Sequence, residues 1–300
     1  MKEKHLSVCP DSDVLENFEN QTSPLSKKIV KGLNENTLLK NLNFNLKIKG
    51  ISEKIKPSKK KKDIKPKAKK AKMKPKSIVD NDDRTQVQVT TDLPFRYICH
   101  LEIKFENGMS ESGTGFFISE QCIITAGHCV FNEKESSWAE EIIVTPARDG
   151  NDAPFGTAVS HKFRSVDDWI NKGDISFDIG AVILDDSTLF NNGIKGFFGY
   201  KKHEDSVIGN ICGYPVDKGT ISQFLGTGSV VKAGDILEYS IDATEGQSGS
   251  PIFISVKDEP FVIGVHNGEF IKDSTNRGFM VRDFIFQRFD EWKKLSGDPV

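Results

Sequence analysis

The sequence predicts an all-β body, a sandwich or barrel, over residues 77–300. Short apolar or alternating runs follow one another about every ten residues there, separated by Gly, Asn, Asp or Pro. No stretch carries a helical period until the C-terminal end. A charge division marks where the body begins. Residues 1–76 hold 21 Lys/Arg against 8 Asp/Glu, leaving 20 and 35 of the chain's 41 and 43 for residues 77–300. The net charge of −2 therefore conceals a basic arm and an acidic body. Segments of opposite sign attract each other at short range and low salt.

Taken in order, residues 1–24 are polar and turn-rich. Leu25 to Leu42 carries a weak helical pattern through Ile29, Leu33, Leu38, Leu39 and Leu42, and Asn43 to Ile51 alternates through Phe44, Leu46 and Ile48 as a short strand would. Glu53 to Lys76 holds 13 lysines, three prolines and almost nothing to bury, so it cannot offset its ordering entropy and is expected to be extended or disordered. A solvated linker open to proteases, a targeting signal and a nucleic-acid-binding tail all fit such a run. The absence of interleaved aromatic residues argues against nucleic acid.

The body then supplies the predicted strands. They are Tyr97 to Phe105, Gly115 to Ile118, Cys122 to Thr125, Ile142 to Thr145 and Ile179 to Leu184, followed by Val207 to Cys212, Ile236 to Ile241, Ile252 to Val256 and Phe261 to Val265. Ile285, Phe289 and Trp292 fall at i, i+4 and i+7 within Val281–Leu295, which predicts an amphipathic C-terminal helix.

Several classes recede. No apolar run reaches transmembrane length, and no Gly-rich phosphate loop, metal signature or internal repeat occurs, so neither cofactor nor metal nor membrane is expected. Met1 to Pro10 lacks the apolar region of a signal peptide. Five cysteines (Cys9, Cys99, Cys122, Cys129 and Cys212) are an odd number without CxxC spacing. That pattern fits a reducing compartment better than ordinary secretion.

Three motifs carry chemistry. Thr244-Glu245-Gly246-Gln247-Ser248-Gly249-Ser250-Pro251 reads as a sharp turn that exposes the Ser248 hydroxyl, with Gly246 letting N–H groups converge on one spot. His128 sits in Thr125-Ala126-Gly127-His128-Cys129, at the end of a predicted strand. Asp178 opens the apolar run Asp178-Ile179-Gly180-Ala181. Each alone is weak: a Gly/Ser/Pro loop, a core histidine or a turn aspartate would look the same. Together they form a set, because a serine hydroxyl needs an imidazole to take its proton. The imidazole in turn needs a buried carboxylate to fix its tautomer.

In the order His128, Asp178, Ser248, residues 77–300 resemble the chymotrypsin-fold serine endopeptidases, most nearly the bacterial glutamyl endopeptidases. The three motifs carry the resemblance, supported by Ser77-Ile78-Val79-Asp80-Asn81-Asp82-Asp83-Arg84-Thr85, Gly196-Phe197-Phe198-Gly199-Tyr200 and Asn276-Arg277-Gly278. It implies two Greek-key β-barrels, His128 and Asp178 from the first and Ser248 from the second. It also implies an oxyanion hole formed by the N–H groups of Gly246 and Ser248, protein or peptide substrates, and secretion. The last conflicts with the missing signal peptide, so a cytoplasmic location stands beside it.

The resemblance further implies a precursor, cut by an activating protease between Lys76 and Ser77, at the end of the lysine-rich linker. Trypsin pairs its new amino terminus with an Asp just before the nucleophile; this chain has Gln247 there, and a freed Ser77 amine is expected near the specificity pocket instead. His266, in Val262-Ile263-Gly264-Val265-His266-Asn267-Gly268, falls where the family recognises a substrate glutamate. Glu245 at the pocket rim opposes an acidic side chain. Asp242, beside Ala243, stands where trypsin holds a cation, so cleavage after Arg or Lys remains the alternative to cleavage after Glu. Related enzymes tie Cys129's position to an upstream strand, yet Glu111 to Gly115 holds no cysteine. An inactive protease-fold binding protein with a nucleic-acid-binding arm is the rival from another class.

Overall fold

A computed structural model describes residues 82–270 and 275–295. The expected helix and strand of the arm, the lysine-rich segment, and Lys76 and Ser77 lie outside the described residues. The strands are β1 Thr85–Gln86, β2 Ile98–Phe105, β3 Ser110–Phe117, β4 Cys122–Thr125, β5 Phe131–Asn132, β6 Ser137–Pro146, β7 Ala158–Ser160 and β8 Phe163–Ser165. They continue as β9 Gly180–Ile183, β10 Gly199–Tyr200, β11 Val207–Gly213, β12 Phe224–Ala233, β13 Ile236–Tyr239, β14 Pro251–Val256, β15 Glu259–Phe270 and β16 Thr275–Met280.

These strands build two β-barrels. In the first, the order β6-β2-β3-β4-β9-β8 is antiparallel throughout and nearly closed. In the second, β12-β11-β14-β15-β16-β13 closes on itself through the pairing of β13 with β12, and β1 adds to β12 at the edge. Closure removes the unpaired strand edges that an open sheet would present. Ile211, Val230, Leu237, Tyr239, Ile241, Ile252, Ile254, Ile263 and Met280 fill the second barrel. Burying one such aliphatic side chain contributes about 1.5–3 kcal/mol.

Among the described residues, three α-helices accompany the strands: α1 Gly127–Val130, α2 Asp167–Lys172 and α3 Asp283–Lys294. Ile285, Phe289 and Trp292 are the buried face of α3, as their spacing predicts. The expectation of no helix before the C-terminal end is overturned by α1 and α2. Each is too short for a 3.6-residue period to register. Helix α2 stops at Gly173, whose φ of 60° lets its N–H turn back onto Trp169 O at 2.9 Å. The sequence also hides β12 and β16, where glycines interrupt the apolar pattern. Gly226 is glycine because a Cβ there would lie 2.6 Å from Ile241 Cγ2.

Cys99, Cys122, Cys129 and Cys212 are buried and free. On β3, a Cβ added to Gly113 would lie 3.1 Å from Cys129 Sγ and 3.1 Å from Ile103 Cδ1. The first separation suits a Cβ and the far sulfur of a disulfide. Gly113→Cys is therefore expected to bridge to Cys129 under oxidising conditions, with Ile103 yielding slightly. Closing a loop of about 15 residues stabilises by about 3 kcal/mol in the chain-entropy picture. Thermal unfolding with and without dithiothreitol measures it, and a domain of this size should gain about 6–12 °C.

Candidate active site

The turn at Ser248 is built from both barrels. Gly246 and Gly249 have φ of 89° and 88°, and a Cβ would stand 2.4 Å from Tyr214 O at the first and 2.0 Å from Thr114 O at the second. Only glycine fits either place. Gln247 N–H donates to Thr244 O (3.0 Å) and Ser250 N–H to Gln247 O (2.9 Å), which closes the turn. Thr114 of β3 clamps it from the first barrel: its N–H donates to Ser248 O (2.8 Å) and its Oγ1 to Gly246 O (2.8 Å). Gly249 N–H donates to His266 O (2.7 Å), tying the turn to β15. Among the described residues, nothing accepts from the N–H of Gly246 or of Ser248. Ser248 itself is half-buried.

His128 is on α1, one turn beyond β4. Its backbone N–H donates to Asp178 Oδ1 (2.9 Å) and its Nδ1–H to Asp178 Oδ2 (2.8 Å). Both carboxylate oxygens thus hold one residue, which fixes the ring's position and its tautomer together. Gly127 makes this approach possible, since a Cβ there would meet Asp178 Oδ1 at 2.9 Å and Trp169 Cδ1 at 2.8 Å. Asp178 follows the 3-10 turn Ile175–Phe177 and is only 4% exposed. Its carbonyl accepts from Asn267 Nδ2 of the second barrel at 2.9 Å. The His128 side chain is 30% exposed. Burial disfavours its imidazolium, but the Asp178 carboxylate and the adjacent Cys129 sulfur outweigh this and hold the ring well above its ordinary value.

The histidine helix and the serine turn touch. Cys129 Sγ donates to Ser248 O at 3.8 Å, and the Gly249 backbone packs so closely on Thr125 and Ala126 that a Cβ would lie 2.2 Å from Thr125 Oγ1.

His266 lies on β15 and is 2% exposed. Tyr239 Oη donates its one hydrogen to Arg277 O (2.8 Å) and accepts from His266 Nδ1–H (2.7 Å), which leaves the Nε2 lone pair of the neutral ring available. Burial pushes the imidazolium down to about 3, and a charge on His128 pushes in the same direction. A bulge at Asn267 separates His266 from Gly268 in the pairing of β15 with β16, where His266 faces Gly278 and Gly268 faces Arg277. Asp242 is buried, and its Oδ2 accepts from the backbone N–H of Asp83 at 3.2 Å. Ala243 is fully buried beside it, whereas Glu245 is exposed.

Sequence reasoning missed Thr114, Asn267, Trp169, Tyr239 and the role of Arg84. Thr114, in Gly113-Thr114-Gly115, had a local signal in the small residues that let backbones approach. The others act across 27 residues of chain or more, where no spacing points to them. Among the described residues, no group of three or more His, Cys, Asp and Glu is placed to hold a metal ion, and no helix is long and apolar enough to cross a membrane.

The trypsin family profile matches residues 87–292. The chain is 32% identical over 230 residues to a glutamyl endopeptidase of Bacillus licheniformis, covering 73% of this chain and 70% of that one. It is 33% identical over 224 residues to a Bacillus subtilis protein described as an extracellular metalloprotease, covering 72% and 69%. Among solved structures, a Glu endopeptidase in complex with MPD superposes with a TM-score of 0.65 at 27% identity, covering 72% of this chain and 99% of that one.

Proposed function

Because the chain belongs to the trypsin family and is a serine endopeptidase, we propose that His128, Asp178 and Ser248 are its catalytic residues and that it cuts after glutamate. The observation that carries the first part is the double grip of Asp178 on His128. Ser248 Oγ attacks the scissile carbonyl carbon while His128 Nε2 takes its proton, and Asp178 stabilises the resulting imidazolium. The oxygen that becomes negative is received by the N–H groups of Gly246 and Ser248, each worth about 10²–10³ in rate. Collapse expels the leaving amine, which takes the proton from His128, and leaves an acyl-enzyme. Water then repeats the sequence and regenerates Ser248.

Glutamate rests on His266. A substrate carboxylate reaching Nε2 would draw a proton onto that nitrogen and accept a charge-assisted bond from it, in a site where the other ring nitrogen is already held by Tyr239. Asp242, the feature that favours Arg or Lys, accepts instead from the segment at Asp83. The charge of Glu245 stands in solvent, where it is screened. We further propose that the chain is a precursor cut at Lys76–Ser77. The test is a peptide library offered to the full chain, before and after limited digestion by a protease that cuts after lysine, with Ser248→Ala as control. Cleavage after Glu that appears or rises on digestion is the expected result. Cleavage after Arg or Lys would transfer specificity to Asp242, and activity equal in the Ser248→Ala control would sink the assignment.

A further inference from the structure

Arg84, on the segment leading into β1, is buried against the turn that carries Ser248. Its side chain has no exposed area, yet each of its five N–H donors finds an acceptor. Nε and Nη2 grip Asp82 at 3.0 and 2.9 Å, and Nη2 also reaches Asp217 Oδ2 at 2.6 Å. Nη1 points the other way, to Thr244 Oγ1 at 2.9 Å and Gln247 Oε1 at 2.8 Å. Gln247 Oε1 accepts a further bond from Thr244 N–H at 3.1 Å, and Thr244 Oγ1 donates to Asp217 Oδ1 at 2.6 Å. The two carboxylates, 29% and 38% exposed, balance the guanidinium from the solvent side. Its inner donor, Nη1, serves two residues of the turn, Thr244 and Gln247.

Thr244 and Gln247 bracket Glu245 and Gly246, and Gln247 immediately precedes Ser248. Fixing both ends of that four-residue segment fixes the direction of the Gly246 and Ser248 N–H groups. The segment has a positive φ at Gly246; main-chain bonds hold its Glu245 and Thr244 carbonyls, from Val216 N–H at 2.9 Å and Gln247 N–H at 3.0 Å, and Arg84 holds the side chains at its two ends. A planar guanidinium suits this task, since it grips Asp82 through Nε and Nη2 while Nη1 serves both turn residues, and a lysine would reach only part of this.

We propose that Arg84 is the positioning residue of the oxyanion turn: its guanidinium, anchored by Asp82 and Asp217, holds Thr244 and Gln247 and so aims the N–H groups of Gly246 and Ser248. This rests on the assignment of Ser248 as nucleophile and adds to it how the turn is ordered. The ordering comes from a side chain on the body side of Lys76–Ser77.

The test compares wild type, Arg84→Met, Arg84→Lys and Gln247→Met in two measurements: amide hydrogen exchange of residues 244–250 in the full chain, and kcat and KM on the best library peptide after limited digestion by the protease that cuts after lysine. Arg84→Met is expected to speed exchange in the turn about tenfold or more while the barrel strands are unchanged. It should lower kcat by about 10²–10³ with little change in KM, because the lost interaction is with the developing oxyanion. Arg84→Lys should recover part of the rate. Gln247→Met leaves the Arg84–Asp82–Asp217 cluster and its bond to Thr244 Oγ1 whole and cuts the link to the residue that immediately precedes Ser248, so it tests that link if Arg84→Met does not fold. Turn exchange and kcat equal to wild type in Gln247→Met would overturn the proposal while leaving Ser248 as nucleophile untouched. A wild-type chain that never cleaves even after that digestion, whose turn nevertheless loosens in Arg84→Met, would count for Arg84 and against the Ser248 assignment.

Discussion

Asp178→Asn is expected to lower kcat about 10⁴-fold with little change in KM or stability. The amide has the shape of the carboxylate but only one acceptor oxygen. Both Asp178 oxygens are in use, one by the His128 backbone N–H at 2.9 Å and one by Nδ1–H at 2.8 Å. If the amide oxygen serves the backbone, its NH₂ faces Nδ1. The ring must then present a lone pair there and carry its proton on Nε2, where it can no longer accept one from Ser248. Ser248→Ala should cost more, about 10⁶, since the proposed nucleophile itself is gone. A second readout separates mechanism from damage. His128 must be neutral to act as base, so activity rises with pH through its ionisation, which Asp178 helps to hold well above 6.5. Without the carboxylate charge, burial still disfavours the imidazolium, and the ascending limb of kcat against pH should move down. A fall in rate with an unmoved limb would show that Asp178 acts by packing alone.

The barrels were legible because local periodicity encodes strands. Cys122–Thr125 is a strand with the bounds its sequence predicts, and the apolar seam of α3 is the one that spacing reads out. The elements that escaped are those whose reason lies elsewhere in the chain. Helix α2 is six residues long, and its Trp169 stands against His128 with ring centroids 6.4 Å apart, a contact that no local pattern announces. Strand β12 carries Gly226 because of Ile241, and Gly127 is small because of Asp178. The candidate site divides in the same way. The order His128, Asp178, Ser248 is a one-dimensional fact that a sequence displays. The fork of Arg84, the Thr114 clamp and the Tyr239–His266 pair depend on register: Tyr239 pairs with Asn276 and His266 with Gly278 across β16, which brings Tyr239 and His266 into contact.

That pair leads to the second large effect. On a peptide with Glu before the scissile bond, kcat/KM is expected to carry a component that falls with rising pH and offsets the rise due to His128, whereas the matching Gln peptide should show only the ascending limb of His128. In the free protein the His266 imidazolium is pushed down to about 3, first by burial and then by His128, so the ring is neutral across the working range. A glutamate carboxylate arriving at Nε2 favours the charged ring and raises that value in the complex. Between the two values, binding takes up a proton, and affinity for Glu falls as pH rises, up to about tenfold per unit. Gln takes up none. His266→Leu should remove this falling component and reduce the Glu-over-Gln preference by about 10²–10³, the scale of about 2–5 kcal/mol for losing one partner of a buried charge pair. Tyr239→Phe is the sharper variant. With Tyr239 Oη present, Nδ1 keeps its hydrogen and Nε2 must gain one to meet glutamate. Without it, the neutral ring is free to carry its single hydrogen on Nε2 and donate at once. Tyr239→Phe should therefore flatten the falling component for Glu and narrow the gap to Gln while leaving the ascending limb in place. A falling component that survives unchanged would mean that the proton is taken up at some other group.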